Sequence, residues 1–320
     1  MTTRTAIIGL GIMGRRMLGQ MLLHPQFDPV HLWDPSADNA ALAMDMASGL
    51  QLAASAEDAI DGADIVYLAC PPVPRHALAL MAAKAGKAVF LEKPLGVDVA
   101  ASRDLVQQIT DTAVPAAVNF TQAAGAALTT VSGDAKAGRL GDLAGIDIVV
   151  TYSNWPRAWQ QAADWLRFRD EGGMTREVIS HFLFFSERIL GPLSLVWARS
   201  SYPDDPALCE THMLARLENA AGVPVSILAS VGGAQPDRQE LTIKGTARSA
   251  RVSDFYAVAT SDGADFEAAP ATGDDPRSSS LRAQLDDLAK MVAGQPHRLA
   301  TLDEALRVQI LIEAMLQGKS

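Results

Sequence analysis

Thr5-Ala6-Ile7-Ile8-Gly9-Leu10-Gly11-Ile12-Met13-Gly14 is the stretch on which the fold turns. A short apolar run, read as a buried strand over residues 5–8, passes directly into glycines spaced G-x-G-x-x-G. The apolar spacing that follows predicts a helix over residues 12–23, closed by His24-Pro25. Each glycine meets a demand of a dinucleotide site: a tight turn, close approach of backbone to a pyrophosphate, and close packing of helix on strand. The helix start adds unpaired N–H groups and a positive dipole end. On this reading Gly9, Gly11, Ile12, Met13 and Gly14 line the phosphates. Asp34 closes the second strand, residues 30–33, and stands 20 residues beyond Gly14, where a carboxylate holds the adenosine ribose hydroxyls. That carboxylate repels a 2′-phosphate, and Pro35-Ser36 brings no arginine to receive one, so NAD is expected over NADP. The plainer alternative for Asp34 is a cap on the helix that begins at Ala37.

Further strands are read at residues 65–69, 88–91 and 116–120, separated by helices at 37–48, 76–85 and 97–110. Apolar strands alternating with helices predict a doubly wound parallel sheet covered on both faces. Beyond Phe120 the texture changes. Residues 143–152, 194–199, 212–218, 223–231 and 240–244 read as successive strands, with helices at 175–190, 281–292 and 302–317. They predict an α+β domain on an open, largely antiparallel or mixed sheet. The expected domains are 1–120, dinucleotide-binding, and 121–320, substrate-binding; residues 261–280 read as a surface loop.

The 320 residues carry 27 Lys and Arg against 37 Asp and Glu, a net charge of −10, and are 48% hydrophobic. Such a chain has no broad basic surface for nucleic acid or an anionic membrane. Two cysteines, Cys70 and Cys209, give no disulfide framework, so a reducing, cytoplasmic setting is expected. The apolar run 6–13 is broken by glycines and followed by Arg15 and Arg16, unlike a signal peptide. No stretch approaches the length of a membrane helix.

Val89-Phe90-Leu91-Glu92-Lys93-Pro94 places a Glu-Lys pair at the C-terminal end of a strand, the edge of a parallel sheet where ligands bind. A lysine there can support negative charge on a substrate oxygen during hydride transfer; otherwise the pair is a solvated turn. Glu92-Lys93-Pro94 resembles the glucose–fructose oxidoreductase / inositol dehydrogenase family (Gfo/Idh/MocA). So do the glycine loop, Ala69-Cys70-Pro71-Pro72-Val73-Pro74-Arg75-His76, residues 137–143, residues 241–246 and the closing helix. The resemblance implies an NAD-dependent dehydrogenase acting on a secondary alcohol or ketone of a sugar, cyclitol or related polyol. It also implies a homo-oligomer formed through the outer face of the second-domain sheet. Cys70, Pro71, Pro72, His76, Glu92, Lys93 and Asn119 then join the cofactor site. Lys93 and Asn119 reach the substrate.

The resemblance points also to Gly172-Gly173 followed by Glu177 and His181. Residues i and i+4 share a helical face, and imidazole exchanges protons near neutral pH. Lys93, His181 and Glu177 become the catalytic set; for His181 the bland alternative is a core histidine beside Phe182, Phe184 and Phe185. Glu177 stands where the family has Asp. Residues 152–169 concentrate Tyr152, Trp155, Trp159 and Trp165 with Arg157, Arg167 and Arg169, and Trp155 and Arg169 are read as substrate contacts. No third ligand accompanies Glu177 and His181, so no metal is expected. Two other readings compete. A β-hydroxyacid dehydrogenase or imine reductase would share the glycine loop but carry an all-helical second domain. A non-catalytic NAD-binding regulator would need neither Lys93 nor His181.

Overall fold

The computed structural model describes residues 2–270 and 275–318. Its chain forms two compact units, residues 1–120 with 281–306, and residues 121–280 with 307–320.

The first unit holds a five-stranded parallel sheet of β1 (Thr3–Ile8), β2 (Phe27–Trp33), β3 (Ile65–Leu68), β4 (Ala88–Glu92) and β5 (Ala116–Asn119). Its order, β2-β1-β3-β4-β5, reverses direction at β1 and β3. Crossovers outward to either side leave a crevice at the carboxyl ends of those two strands, where such sheets bind ligands. β3 and β4 are buried along their whole length, which is why they read as unbroken apolar runs. Helix α1 (Ile12–Leu23) buries Gly14, Met17, Leu18 and Met21, the i, i+3, i+4, i+7 face its sequence presents to the sheet.

Boundaries differ where caps decide them. Helix α2 (Ala37–Met44) starts at its Ser36 cap, whose side chain accepts from Asn39 N–H, but stops well before Gly49. Helix α4 begins at Pro72, not His76 (Pro72–Lys84), because proline is well placed at a first helical position whose N–H would be unpaired anyway. A short helix α3 (Ala56–Asp61) was not apparent in the sequence pattern. Helix α8 (Pro276–Val292), late in the chain, packs Leu281, Leu285, Leu288 and Met291 into this unit's core beside Ile7, Leu10, Tyr67 and Phe90. Assignment by sequence order alone puts that segment in the second domain.

The second unit is built on an eight-stranded mixed sheet. Its strands are β6 (Leu143–Tyr152), β7 (Leu193–Ser201), β8 (His212–Asn219), β9 (Pro224–Val231), β10 (Arg238–Gly245), β11 (Ser249–Ser253), β12 (Ala257–Ser261) and β13 (Glu267–Ala268). β6 and β9 run parallel; the remaining pairs are antiparallel. A sheet of this size removes the all-helical second domain that the β-hydroxyacid dehydrogenase reading requires. The last three strands and helix α6 (Ala126–Lys136) were not resolved as elements from sequence. The expected loop 261–280 contains β13 and the start of α8; residues 271–274 of it lie outside the described residues. Among the described residues no helix is long and apolar enough to cross a membrane.

Candidate functional site

In the first unit the expected cofactor residues gather at the carboxyl edge of the sheet. Gly9 has φ +93°, and a Cβ there would lie 2.6 Å from Cys70 N, so the turn after β1 tolerates no side chain. A Cβ on Gly14 would fall 1.9 Å from Gly9 O. Gly11 is different: a Cβ there meets nothing within 4 Å. The space over Gly11, at the unpaired N–H groups of Ile12, Met13 and Gly14, is the cradle a pyrophosphate needs.

Asp34 is set against this loop. Its Oδ2 accepts from Leu10 N–H at 2.5 Å and its Oδ1 from Ser36 N–H at 2.8 Å, with the Asn39 amide 3.4 Å away. It is thus a clamp on the glycine loop. Arg15 donates to Leu10 O at 2.5 Å and to Asn39 Oδ1 at 3.3 Å, a cation close to this corner that Pro35-Ser36 gave no reason to expect.

The loop after β3 is held by Arg75, a guanidinium only 2% exposed. It donates to Cys70 O at 3.1 and 2.5 Å, to Glu92 O at 2.5 Å and to Pro94 O. One buried cation therefore ties the strand end at Cys70 to the Glu92-Lys93-Pro94 turn, whose Lys93–Pro94 peptide is cis. Pro71 and Pro72 begin α4, and the Cys70 thiol is pushed up in pKa by burial. His76 buries its Nε2 with no hydrogen-bond partner among the described residues, an orphan that a ligand hydroxyl would satisfy.

Glu92 is buried at the end of β4. Tyr67 Oη donates to its Oε1, and Asn119 Nδ2 donates to the same oxygen at 2.6 Å. Burial raises the Glu92 carboxyl against these bonds and against the positive Lys93; it also drives the Tyr67 phenol well up, reinforced by the Glu92 charge. Asn119 is fully buried, with its Oδ1 accepting from Gln284 at 3.2 Å. Its amide thus braces Glu92 inside the unit. Lys93 is 9% exposed.

In the second unit Glu177 lies in a π-helical turn, Thr175–Ile179, that runs straight into helix α7 (Ser180–Leu190) carrying His181. Single π turns inside helices occur frequently at functional sites. The turn is locked from outside: Thr175 N–H donates to buried Glu210 at 2.7 Å, and Arg176 makes a two-pronged pair with Glu313 at 2.7 and 2.8 Å. Gly173 has φ +103°, with Glu210 oxygens 2.4 Å from where a Cβ would sit, which accounts for the glycine pair before the helix. Burial raises the Glu210 carboxyl, opposed by the Thr175 bond. Burial also pushes the Cys209 thiol up to about 12, aided by the Glu210 charge. His181 is 8% exposed and meets the Phe255 ring edge-on at 5.3 Å.

Glu177 accepts from Gln160 Nε2 at 2.9 Å, and the Arg157 guanidinium lies 3.8 Å from the same oxygen. Sequence reading named Arg157 only as one arginine of the 152–169 cluster and passed over Gln160, because a glutamine in an irregular segment carries no local signature. The two expected substrate contacts in that segment have other partners. Trp155 donates its indole N–H to Leu166 O at 2.9 Å, and Arg169 stacks its guanidinium 4.1 Å from the Tyr202 ring. Trp155, Arg157, Arg167 and Glu210 share the wall of a cavity of about 600 Å³. Among the described residues no group of three His, Cys, Asp or Glu side chains is gathered as metal ligands would be.

Residues 3–120 match a family described as an oxidoreductase family with an NAD-binding Rossmann fold. The inositol 2-dehydrogenase of Cereibacter sphaeroides (strain ATCC 17029 / ATH 2.4.9) is 34% identical over 111 residues. That aligned stretch spans 33% of this chain and 33% of the length of that relative. Among solved structures, an oxidoreductase from Thermotoga maritima superposes with a TM-score of 0.84 at 18% identity, over 99% of this chain and 97% of that one. The WlbA dehydrogenase of Bordetella pertussis, solved with NADH and UDP-GlcNAcA, gives 0.83 at 20% identity over 99% and 95%. These structures share the fold.

Proposed function

We propose that the chain is a dehydrogenase, since residues 3–120 match an oxidoreductase family with an NAD-binding Rossmann fold. It transfers a hydride between NAD(H) and a secondary alcohol or ketone of a sugar, cyclitol or related polyol. The observation that carries this reading is the glycine loop clamped to Asp34 beside an open cradle at Gly11. Asp34 favours NAD over NADP by repelling a 2′-phosphate. Gly9, Gly11 and Gly14 shape the loop, with the amides of Ile12 and Met13 facing the phosphates, and His76 offers Nε2 to the nicotinamide side.

Bound NAD supplies the hydride acceptor. Lys93, presented by the strand-end turn that Arg75 braces, donates a hydrogen bond to the reacting oxygen and supports its charge. His181 accepts the hydroxyl proton in oxidation and returns it in reduction. Glu177 orients substrate and imidazole. Exposed Val196, Trp197, Leu214 and Leu228 on the second sheet fit a homo-oligomer, and two free, buried cysteines suit the cytoplasm. No nucleic-acid or membrane partner is proposed.

A spectrophotometric assay of NAD and NADP reduction against myo-inositol, other cyclitols, sugars and hydroxy acids tests the reading. We expect turnover with NAD, lowered at least about tenfold in Lys93→Ala and in His181→Ala while NADH binding survives. Full activity in both variants would overturn the assigned chemistry, and a strong NADP preference would overturn the role of Asp34.

A further inference from the structure

We infer that Arg157 and Gln160 are positioning residues for Glu177: together they fix where its carboxylate points. The inference rests on the proposed role of Glu177 and extends it to two side chains that act through that carboxylate.

Arg157 is 8% exposed, rare for an arginine unless its charge is met on all sides. Three aromatic rings surround it, with Cζ 5.3 Å from the Tyr152 ring, 5.8 Å from Trp155 and 4.7 Å from Trp159. A flat guanidinium lies against such faces, where a lysine ammonium does not stack. The cage fixes the plane of the cation and so the direction of its N–H groups. Nε donates to Gln160 Oε1 at 2.7 Å, Nη1 to Gln239 Oε1 at 3.4 Å, and Nη2 lies 3.8 Å from Glu177 Oε1. Tyr152 Oη holds Gln239 by donating to its Oε1 at 2.6 Å.

Gln160 completes the device. It is 2% exposed, with its carbonyl end on Arg157 and its amide N–H end on Glu177 at 2.9 Å. A cation at one end and an anion at the other leave the amide a single favourable orientation. Glu177 Oε1 is therefore approached by both the amide and the guanidinium. The π turn sets where the backbone of Glu177 lies; the caged arginine and the amide set where its carboxylate lies. Tyr152, Trp155, Arg157 and Trp159, part of the aromatic and arginine cluster of residues 152–169, become intelligible as this cage.

The test is a double-mutant cycle on the full chain, using Arg157→Met, Glu177→Gln and the pair, read by urea unfolding and by NAD-linked turnover of myo-inositol. The unfolding constants of the single variants should combine less than multiplicatively, with a discrepancy of about fivefold or more. In turnover each single variant should lose roughly tenfold or more in kcat, with the KM for NAD unchanged, and the pair should lose no more than Glu177→Gln alone. Arg157→Lys should recover only part of the loss. If Arg157→Met does not fold, Gln160→Met, which removes only the amide bonds, takes its place in the cycle. Multiplicative unfolding constants overturn the inference whatever the turnover shows. Coupled unfolding with Glu177→Gln at full activity, or no turnover at all, keeps the inference and removes the catalytic assignment on which its use depends.

Discussion

At the scale of single residues, two buried carboxyls, Glu210 and Glu92, contribute to how stability responds to pH. Glu210 is 2% exposed, and burial raises its pKa above the ordinary carboxylate value even though Thr175 N–H donates to it. A group that holds its proton more tightly when folded adds stability at low pH. That contribution fades as pH rises from the unfolded pKa toward the folded one. Glu92 acts in the same sense. Glu210→Gln keeps the shape and an acceptor for Thr175 but cannot ionise, so its unfolding free energy should fall less between about pH 5 and pH 8 than the parent's. Urea midpoints at the two pH values read this directly; an unchanged slope would assign the titration elsewhere. Legibility at this scale divides along a physical line. Gly9 and Gly14 could be read as tight positions because a turn and a close backbone approach are local demands with fixed spacing. Arg75 and Arg157 could not, because an arginine becomes a brace only when carbonyls or rings from distant segments close around it. The bracing of Asn119 was hidden for the same reason: its place at a strand end was legible, but Gln284, which donates to its carbonyl, comes from far along the chain.

At the scale of elements, period and burial explain which strands could be read. β8 alternates with Met213, Ala215 and Leu217 buried, against Leu214 facing out, and such two-fold patterns announce themselves. β11 and β12 are short, half-exposed and rich in Ser, Ala and Thr, so no pattern distinguishes them from loop. The outward face of the same sheet carries an apolar row. Leu214 pairs directly with Leu228, both more than 40% exposed, and Trp197 and Val196 on β7 are exposed to a similar degree. Adjacent exposed apolar side chains on a sheet face mark an interaction surface more than scattered ones do. If copies of the chain associate through this row, Leu214→Asp combined with Leu228→Asp should weaken self-association by roughly a hundredfold or more, from lost apolar burial and like charges brought together. Light scattering after size exclusion measures it, with circular dichroism to show that the sheet persists. An unchanged mass would move the contact to another face.

At the scale of the whole molecule, the chain is not divided once near residue 120 but passes between its units three times, returning at 281–306 before ending in the second. The return follows from what α8 buries. Leu281, Leu285, Leu288 and Met291 repeat at helical spacing, and with Leu299 they sit in one core with Leu10, Met17, Met21 and Phe90. Polar closure accompanies the apolar contact: Gln284 donates to Phe120 O at 2.5 Å, and Val118 N–H donates to Ala300 O at 2.9 Å at the edge of β5. Residues 1–120 alone therefore lack part of their core and the partner of an edge strand, although they contain every residue of the proposed nucleotide site. Burying each of those leucines contributes on the order of 1.5–3 kcal/mol, so their joint loss is comparable to the whole stability a domain of this size has in reserve. A fragment ending at Phe120 should accordingly bind a dye for exposed apolar surface and unfold without a cooperative transition. Because Gln284 reaches Phe120, a short glycine-serine linker can join Phe120 to Leu281, and the fragment 1–120 linked to 281–306 should unfold cooperatively and quench with NADH. Cooperative unfolding of 1–120 by itself would show that α8 is an accessory to this unit, and cofactor binding by the fragment would then need only the strands and helices before residue 121.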